Sequence, residues 1–215
     1  DYRFNRNSLL GVGLSYAFDY VEVAEGLGHS KINEEFATLY ASWNFSHLFI
    51  NAALWGGLFQ VNNERHTLPN FAKITSSSHT KGWLLSPHFE MAFPFDAASS
   101  WLTIDPFFMV DWANGWQQGF HERGPSGLNI SLEDQYSSLL RSEAGIRFYE
   151  VLHYNWGFVL FKEKASFVNK KPFHTGPAAA FFVGSPSSFA VETFGSQTEN
   201  LAVAEFQLEL IPRNP

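Results

Sequence analysis

The sequence predicts an all-β protein, an antiparallel transmembrane β-barrel, on three observations. Apolar residues recur at every second position in long stretches, the period of a strand with two unlike faces. The stretches run for about ten residues or more, the length at which a tilted strand crosses a bilayer. The intervening positions hold small residues, glycines and isolated charges of both signs, as the wet interior of such a barrel does.

The strands follow in order. Ser8 to Tyr20 sets Leu10, Val12, Leu14, Tyr16 and Phe18 against Gly11, Gly13, Ser15 and Ala17. Glu35 to Phe45 turns Leu39, Ala41, Trp43 and Phe45 one way, and Ser46-His47 makes a short turn. Leu48 to Val61 opposes Ile50, Leu54 and Leu58 to Asn51, Trp55 and Gly57. Trp83 to Phe95 opposes Trp83, Leu85, Phe89 and Met91 to Leu84, Ser86, His88 and Glu90, and Asp96 to Ser99 turns the chain. Trp101 to Trp112 places Ile104, Phe108 and Val110 against Asp105, Phe107 and Asp111. Asp134 to Phe148 places Leu140, Ala144 and Ile146 against Arg141, Glu143 and Arg147. Asn155 to Phe167 loses its phase near Lys162-Glu163-Lys164. Ala178 to Val191 holds a strand or hairpin broken at Gly184, and Asn200 to Leu210 alternates cleanly again. Long polar connections are expected at Glu25–Asn33, Asn62–Thr80, Asn114–Glu133 and Asn169–Gly176, alternating with short ones. That alternation matches the short periplasmic turns and longer extracellular loops of outer-membrane barrels.

Bulk composition narrows the function. No run approaches the roughly 18 apolar residues of a transmembrane helix, and mean hydropathy is only -0.13. That pattern excludes a helical membrane protein and leaves a barrel open. A net charge of -7 argues against a nucleic-acid surface. The absence of cysteine removes disulfide frameworks and Cys-based metal sites. Aromatics make up 17% of the chain and gather towards strand ends, as interfacial girdles do. The first residues, Asp1-Tyr-Arg-Phe4, resemble neither a signal peptide nor a natural start, so the segment reads as part of a longer chain. Residues 1–215 read as a single domain, because no low-complexity stretch or linker divides them.

The competing architecture is a soluble β-sandwich acting as a binding or adhesin module. Its strands alternate too, but with the apolar face inward. Strands this long are unusual for a sandwich, where about five or six residues is typical. The mid-strand prolines Pro87 and Pro106 suit neither architecture.

Several segments carry a family resemblance. Asn7 to Tyr16 is similar to an "n-x-L-x-G-x-x-x-x-Y" strand, and Leu39 to Trp43 followed by Phe49 to Ala53 to a "Y-x-x-W … y-v-d-x-x" hairpin. Arg65 follows that hairpin as an arginine does in the pattern. Phe89-Glu90 resembles "l-E-a-G-y", with Met91-Ala92 in place of Ala-Gly, and Asp105-Pro106 resembles "l-x-P-x". Gly119 to Ile130 resembles "g-f-x-E-x-G-a-x-x-L-n-l" and runs on to Leu140 to Arg147, similar to "l-r-s-x-l-G-x-r". Gly184 to Val191 resembles "g-a-p-x-s-x-F-x-V". Taken in order over nearly the whole chain, these segments resemble the C-terminal β-domain of type V autotransporters.

The resemblance implies a twelve-stranded barrel threaded by an N-terminal helix, of which this chain is most, truncated at both ends. The C-terminal aromatic read by the assembly machinery is absent from Ile211-Pro-Arg-Asn-Pro215. The implied function is an outer-membrane translocator that anchors an N-terminal passenger and exports it to the bacterial cell surface. The implied partners are outer-membrane lipid, the protein's own passenger and linker helix, and the barrel assembly machinery, with no nucleic acid.

The candidate functional residues are the polar ones expected to face the lumen: Glu90, Asp105, Asp111, Arg141, Glu143 and Arg147. They could line a channel that holds the passenger linker, or pair across strands for stability at about 0.2–1 kcal/mol each. Ser86 and His88 share a face, as a nucleophile and base would in a barrel enzyme of the lipid-hydrolase type. Positions two apart on a strand separate their Cα atoms by about 6–7 Å, which disfavours that pairing. No enzyme activity, catalytic residue or cofactor is expected. The eight histidines show no H-x₃₋₅-H spacing, so no metal site is expected either. Glu122-Arg123-Gly124 is expected to form the rim of the strand that follows it.

Overall fold

The computed structural model describes residues 1–67, 74–97, 101–125, 127–173, 178–185, 187–191 and 197–212. The elements are β1 (Tyr2–Asn5), β2 (Ser8–Val23), β3 (Gly28–Phe45), β4 (Leu48–Thr67), β5 (Ile74–Ala92), β6 (Phe95–Asp96) and β7 (Leu102–Gln117). They continue with β8 (Phe120–His121), β9 (Ile130–Leu132), β10 (Gln135–Tyr154), β11 (Gly157–Pro172), β12 (Ala178–Phe182), β13 (Ser188–Val191) and β14 (Glu199–Pro212). A single 3-10 turn at Ala24–Gly26 links β2 to β3. Among the described residues, no helix is long and apolar enough to cross a membrane.

One antiparallel meander carries the fold. Its pairing order is β1-β2-β3-β4-β5-β7-β10-β11-β14, with β6 added to β7. Strands of 14 to 20 residues exceed the roughly 9–11 that cross a bilayer, so they project beyond it. This corrects the expected long loops. Residues 28–33 belong to β3 and residues 62–67 to β4, so the β2–β3 connection is short. β5 begins at Ile74, β7 reaches Gln117 and β11 reaches Pro172. Hydrophobic alternation fades there because the outward face carries polar residues and the inward face meets polar loop partners, with Ser76 and Thr80 buried, yet backbone pairing continues. Polar side-chain pairs support it, among them Ser30 Oγ to Asn63 at 2.6 Å and His79 Nδ1 with Asn62 at 2.8 Å. The turn expected at Asp96 to Ser99 lies partly outside the described residues, and Asp96 itself pairs with Thr103 in the β6–β7 ladder.

The apolar face is the exposed one. Val12 is 72% exposed, Leu14 87%, Leu58 63% and Phe206 64%. The opposite face buries Ser86, Glu90, Asp105 and Glu143. A sandwich core would reverse both, so the soluble alternative fails on this inversion. The outward face turns polar towards the projecting ends, at Glu35, Asn33 and Lys31 on β3 and at Gln60, Asn62 and Glu64 on β4. Trp83, Trp116 and Tyr136 are cross-strand neighbours near that change, where aromatic rings with a polar tip suit a membrane interface. The muddled phase in β11 resolves in the register. Glu163 faces outward between Phe148 and Phe206, while Lys162 and Lys164 face inward.

Pro87 has a local consequence. The β5–β7 ladder omits residues 86 and 87 while keeping the same register on either side, because proline has no N–H to donate. Pro106 lies beyond the end of β5, and its carbonyl accepts the Phe93 N–H at 2.9 Å.

The two longest connections form a second, four-stranded sheet of order β13-β12-β9-β8. The hairpin expected within Ala178 to Val191 is β12–β13, part of this sheet. Fully buried Ala180 and nearly buried Ser131 lie within it.

Candidate functional site

The inward face divides in two. On β2 to β5 it carries glycines opposite large rings: Gly11 faces Tyr40, Gly57 faces Phe36 and Gly82 faces Phe59. A Cβ at any of these glycines would collide with the ring opposite, so the ring packs flat on bare backbone. Trp55 adds an edge-to-face contact with Phe36 at 5.5 Å.

From β5 to β14 the inward face carries charge, and the strand register organises it. One row of cross-strand partners reads His88, Asp111, Arg141, Lys170 and Glu199. A second reads Asp105, Arg147, Lys164 and Glu205. Glu90 and Glu143 stand between the rows. Within the first row, His88 Nδ1 meets Asp111 at 2.6 Å, and Arg141 donates to the other Asp111 oxygen at 2.9 Å. Within the second, Arg147 donates to Asp105 at 3.3 Å, and Lys164 meets Glu205 at 2.7 Å. Arg147 also donates to Glu90, and its guanidinium lies 4.0 Å over the Phe107 ring.

Glu143 joins the rows. It is 1% exposed, and it accepts from Arg141, from Ser166 Oγ at 2.7 Å and from Lys164 at 3.1 Å. A buried carboxylate is tolerable only when paired and hydrogen-bonded, and this one is both. Beside it, a cleft of about 430 Å³ is bordered by Arg147, Lys164, Glu205 and Phe107. Elsewhere on this wall, one Asp105 oxygen is buried without a hydrogen-bond partner.

All six expected residues therefore lie on the inward face, within one connected set of charges. The sequence reading missed His88, Lys164, Ser166 and Glu205 as members of that set. Their strand parity pointed to it, but the register that joins strands far apart in sequence did not show. Ser86 is buried beside His88, yet the His88 ring is engaged with Asp111.

The second feature is a clamped loop between β7 and β10. Arg65 on β4 grips Glu122 with Nε at 2.8 Å and Nη2 at 2.6 Å, and donates to the Leu128 carbonyl at 2.9 Å. The Ile130 N–H donates to the same Glu122 carboxylate at 2.8 Å. Ser76 donates to Asn129 at 2.8 Å, Asn129 donates to the Gly124 carbonyl at 3.0 Å, and Ser77 and Arg123 exchange backbone bonds. Burial alone would raise the Glu122 carboxyl, but the Arg65 and Ile130 hydrogen bonds hold it below the usual carboxylate range. The Glu122 hydrogen bond raises the Arg65 guanidinium in turn. The motif around Glu122 is thus not merely a strand rim: it ties the β7–β10 loop back over the ends of β4 and β5.

Family comparison agrees with this architecture. The autotransporter beta-domain family matches residues 1–210. No curated protein matches the chain. An inverted antiparallel barrel matched over nearly its whole length identifies the chain as a member of the autotransporter beta-domain family, the outer-membrane barrels of type V secretion.

Proposed function

We propose that this barrel anchors an N-terminal passenger in the outer membrane and gives it a route to the cell surface. The observation that carries the reading is the inversion of the faces. Apolar side chains are exposed outward, and a paired, polar wall lines the inside. Such an outer face suits lipid, in which strand-to-strand pairing satisfies the backbone groups. An extended chain in transit needs water or polar partners for its own N–H and C=O groups, and the charged wall offers them. The partners of this reading are outer-membrane lipid, the passenger with its linker helix, and the barrel assembly machinery. The six residues Glu90, Asp105, Asp111, Arg141, Glu143 and Arg147 act as wall and not as catalysts, and the barrel serves as conduit and anchor rather than enzyme.

The test uses the absence of cysteine from residues 1–215, with any cysteine ahead of residue 1 replaced by serine. The full chain, passenger included, receives single cysteines at Glu90 or Phe89 and a second cysteine in the linker ahead of residue 1. A passenger stalled in export is then cross-linked in cells. The proposal expects a cross-link from position 90 and none from position 89. Equal cross-linking from both, or none from 90 while the passenger still reaches the surface, would sink it.

A further inference from the structure

We propose that His29, Glu64 and His66 form a binding site for a divalent transition-metal ion of the zinc class, on the projecting ends of β3 and β4. Their ligand atoms lie within 4.8 Å of one another. The register places them: His29 is the direct cross-strand partner of Glu64, and His66 is two residues further along, on the same outward face. The Leu27 carbonyl accepts the His66 N–H at 2.8 Å, so the backbone under the third ligand is held as well. Gly28, at φ 150°, permits the close approach, since a Cβ there would collide with the Glu64 carbonyl.

The donors are oriented from outside the cluster. His66 Nδ1 lies 3.2 Å from the Thr75 hydroxyl of β5. With Nδ1–H donating to that oxygen, Nε2 presents its lone pair, the usual outer-shell arrangement of a metal-bound histidine. Tyr20 packs its ring 5.4 Å from that of His29 and limits its rotation. His29 Nε2 already lies 3.9 Å from Glu64 Oε2. A tetrahedral ion with bonds of about 2.0–2.2 Å separates its ligands by roughly 3.3–3.6 Å, so a closure of about an ångström completes the triangle. Two imidazoles and one carboxylate with an open fourth position suit zinc, whereas calcium and magnesium take oxygen donors. Glu64 is half exposed, so an ion enters from solvent, and once bound it cross-links β3 to β4. Spacing within one strand could not reveal this site, because its ligands come from two.

The experiment is calorimetric titration of the full chain, purified in detergent, with zinc chloride, and with calcium chloride as the contrast. Cobalt chloride adds an absorption spectrum that reports ligation. The expected result is one zinc per chain, no calcium at the same concentration, and a cobalt band in the visible. His29→Ala and His66→Ala are each expected to weaken zinc at least tenfold and to remove the band, and Glu64→Gln to weaken zinc while keeping the side chain's size. His47→Ala, at the turn opposite, is expected to change nothing. Heat-dependent gel mobility confirms that each variant is folded. Zinc affinity unchanged in both histidine variants, or native protein without a cobalt band, overturns the assignment.

Discussion

The two sides of the barrel interior solve the same problem with different chemistry. On β2 to β5, rings lie over glycines and the interior is filled by shape. From His88 and Glu90 on β5 through to β14, carboxylates and cations interlock through the register and the interior is filled by charge. The first device depends on space and tolerates changes of ionic strength. The second depends on completeness, because a buried charge that loses its partner costs far more than the pair contributes. The charged side is therefore the more fragile wall.

The largest expected effect breaks the charged side at its centre. Glu143→Ala leaves Arg141 and Lys164 without their shared carboxylate. Because Arg141 keeps Asp111 and Lys164 keeps Glu205, the loss should not exceed the low end for a broken buried pair, about 3 kcal/mol. Urea unfolding in detergent, followed by tryptophan fluorescence, measures it, and a loss under about 1 kcal/mol would mean that the wall is effectively solvent.

The clamp comes next. Glu122→Gln keeps the shape and removes the charge that Arg65 grips, a local loss of about 2 kcal/mol. It should appear as faster proteolysis of residues 118–134 with little change in global unfolding. The wild-type clamp carries a pH signature of known sign. The folded Glu122 carboxyl lies below its ordinary value, so its contribution is complete above about pH 4.3 and is lost as pH falls through the folded value. Protease susceptibility of the loop should rise below about pH 4 in the wild type and show no such step in Glu122→Gln.

The aromatic side is tested by space. Gly57→Ala drives a methyl into Phe36 and should cost about 1–3 kcal/mol. Gly13→Ala meets only Thr38 Cβ, at 3.8 Å, and should change stability by no more than about 0.5 kcal/mol. Equal effects at the two positions would remove ring-on-glycine packing as the explanation. The smallest effect is expected on the outer face. Glu163 sits between Phe148 and Phe206, and Glu163→Leu should stabilise the barrel in liposomes by about 1 kcal/mol.

Individual residues show how much was legible in advance. Phe89 and Glu90 were separable by parity alone, since neighbours on a strand face opposite ways. Strand ends were not legible. Gly28 to Glu34 carries no apolar alternation, because its outward residues meet water, yet those residues pair fully with β4. Glu163 was hidden for the opposite reason: flanked by two lysines, it breaks the expected chemistry of its face, and only the β10 and β14 registers place it. Glu122 and Arg65 were each visible in separate motifs, but 57 residues apart nothing in the chain joined them.

The sequence by itself determined that this protein is a long-stranded antiparallel barrel and which residues share a face, because a period of two is a local property of the backbone. It also placed Glu90, Asp105, Asp111, Arg141, Glu143 and Arg147 together on one side. Only the tertiary structure decided which carboxylate meets which cation, that Glu143 is the shared acceptor, that Arg65 closes on Glu122, and that His29 stands beside Glu64. Those contacts depend on register between strands, and register is fixed by the whole ladder of hydrogen bonds, not by any one segment.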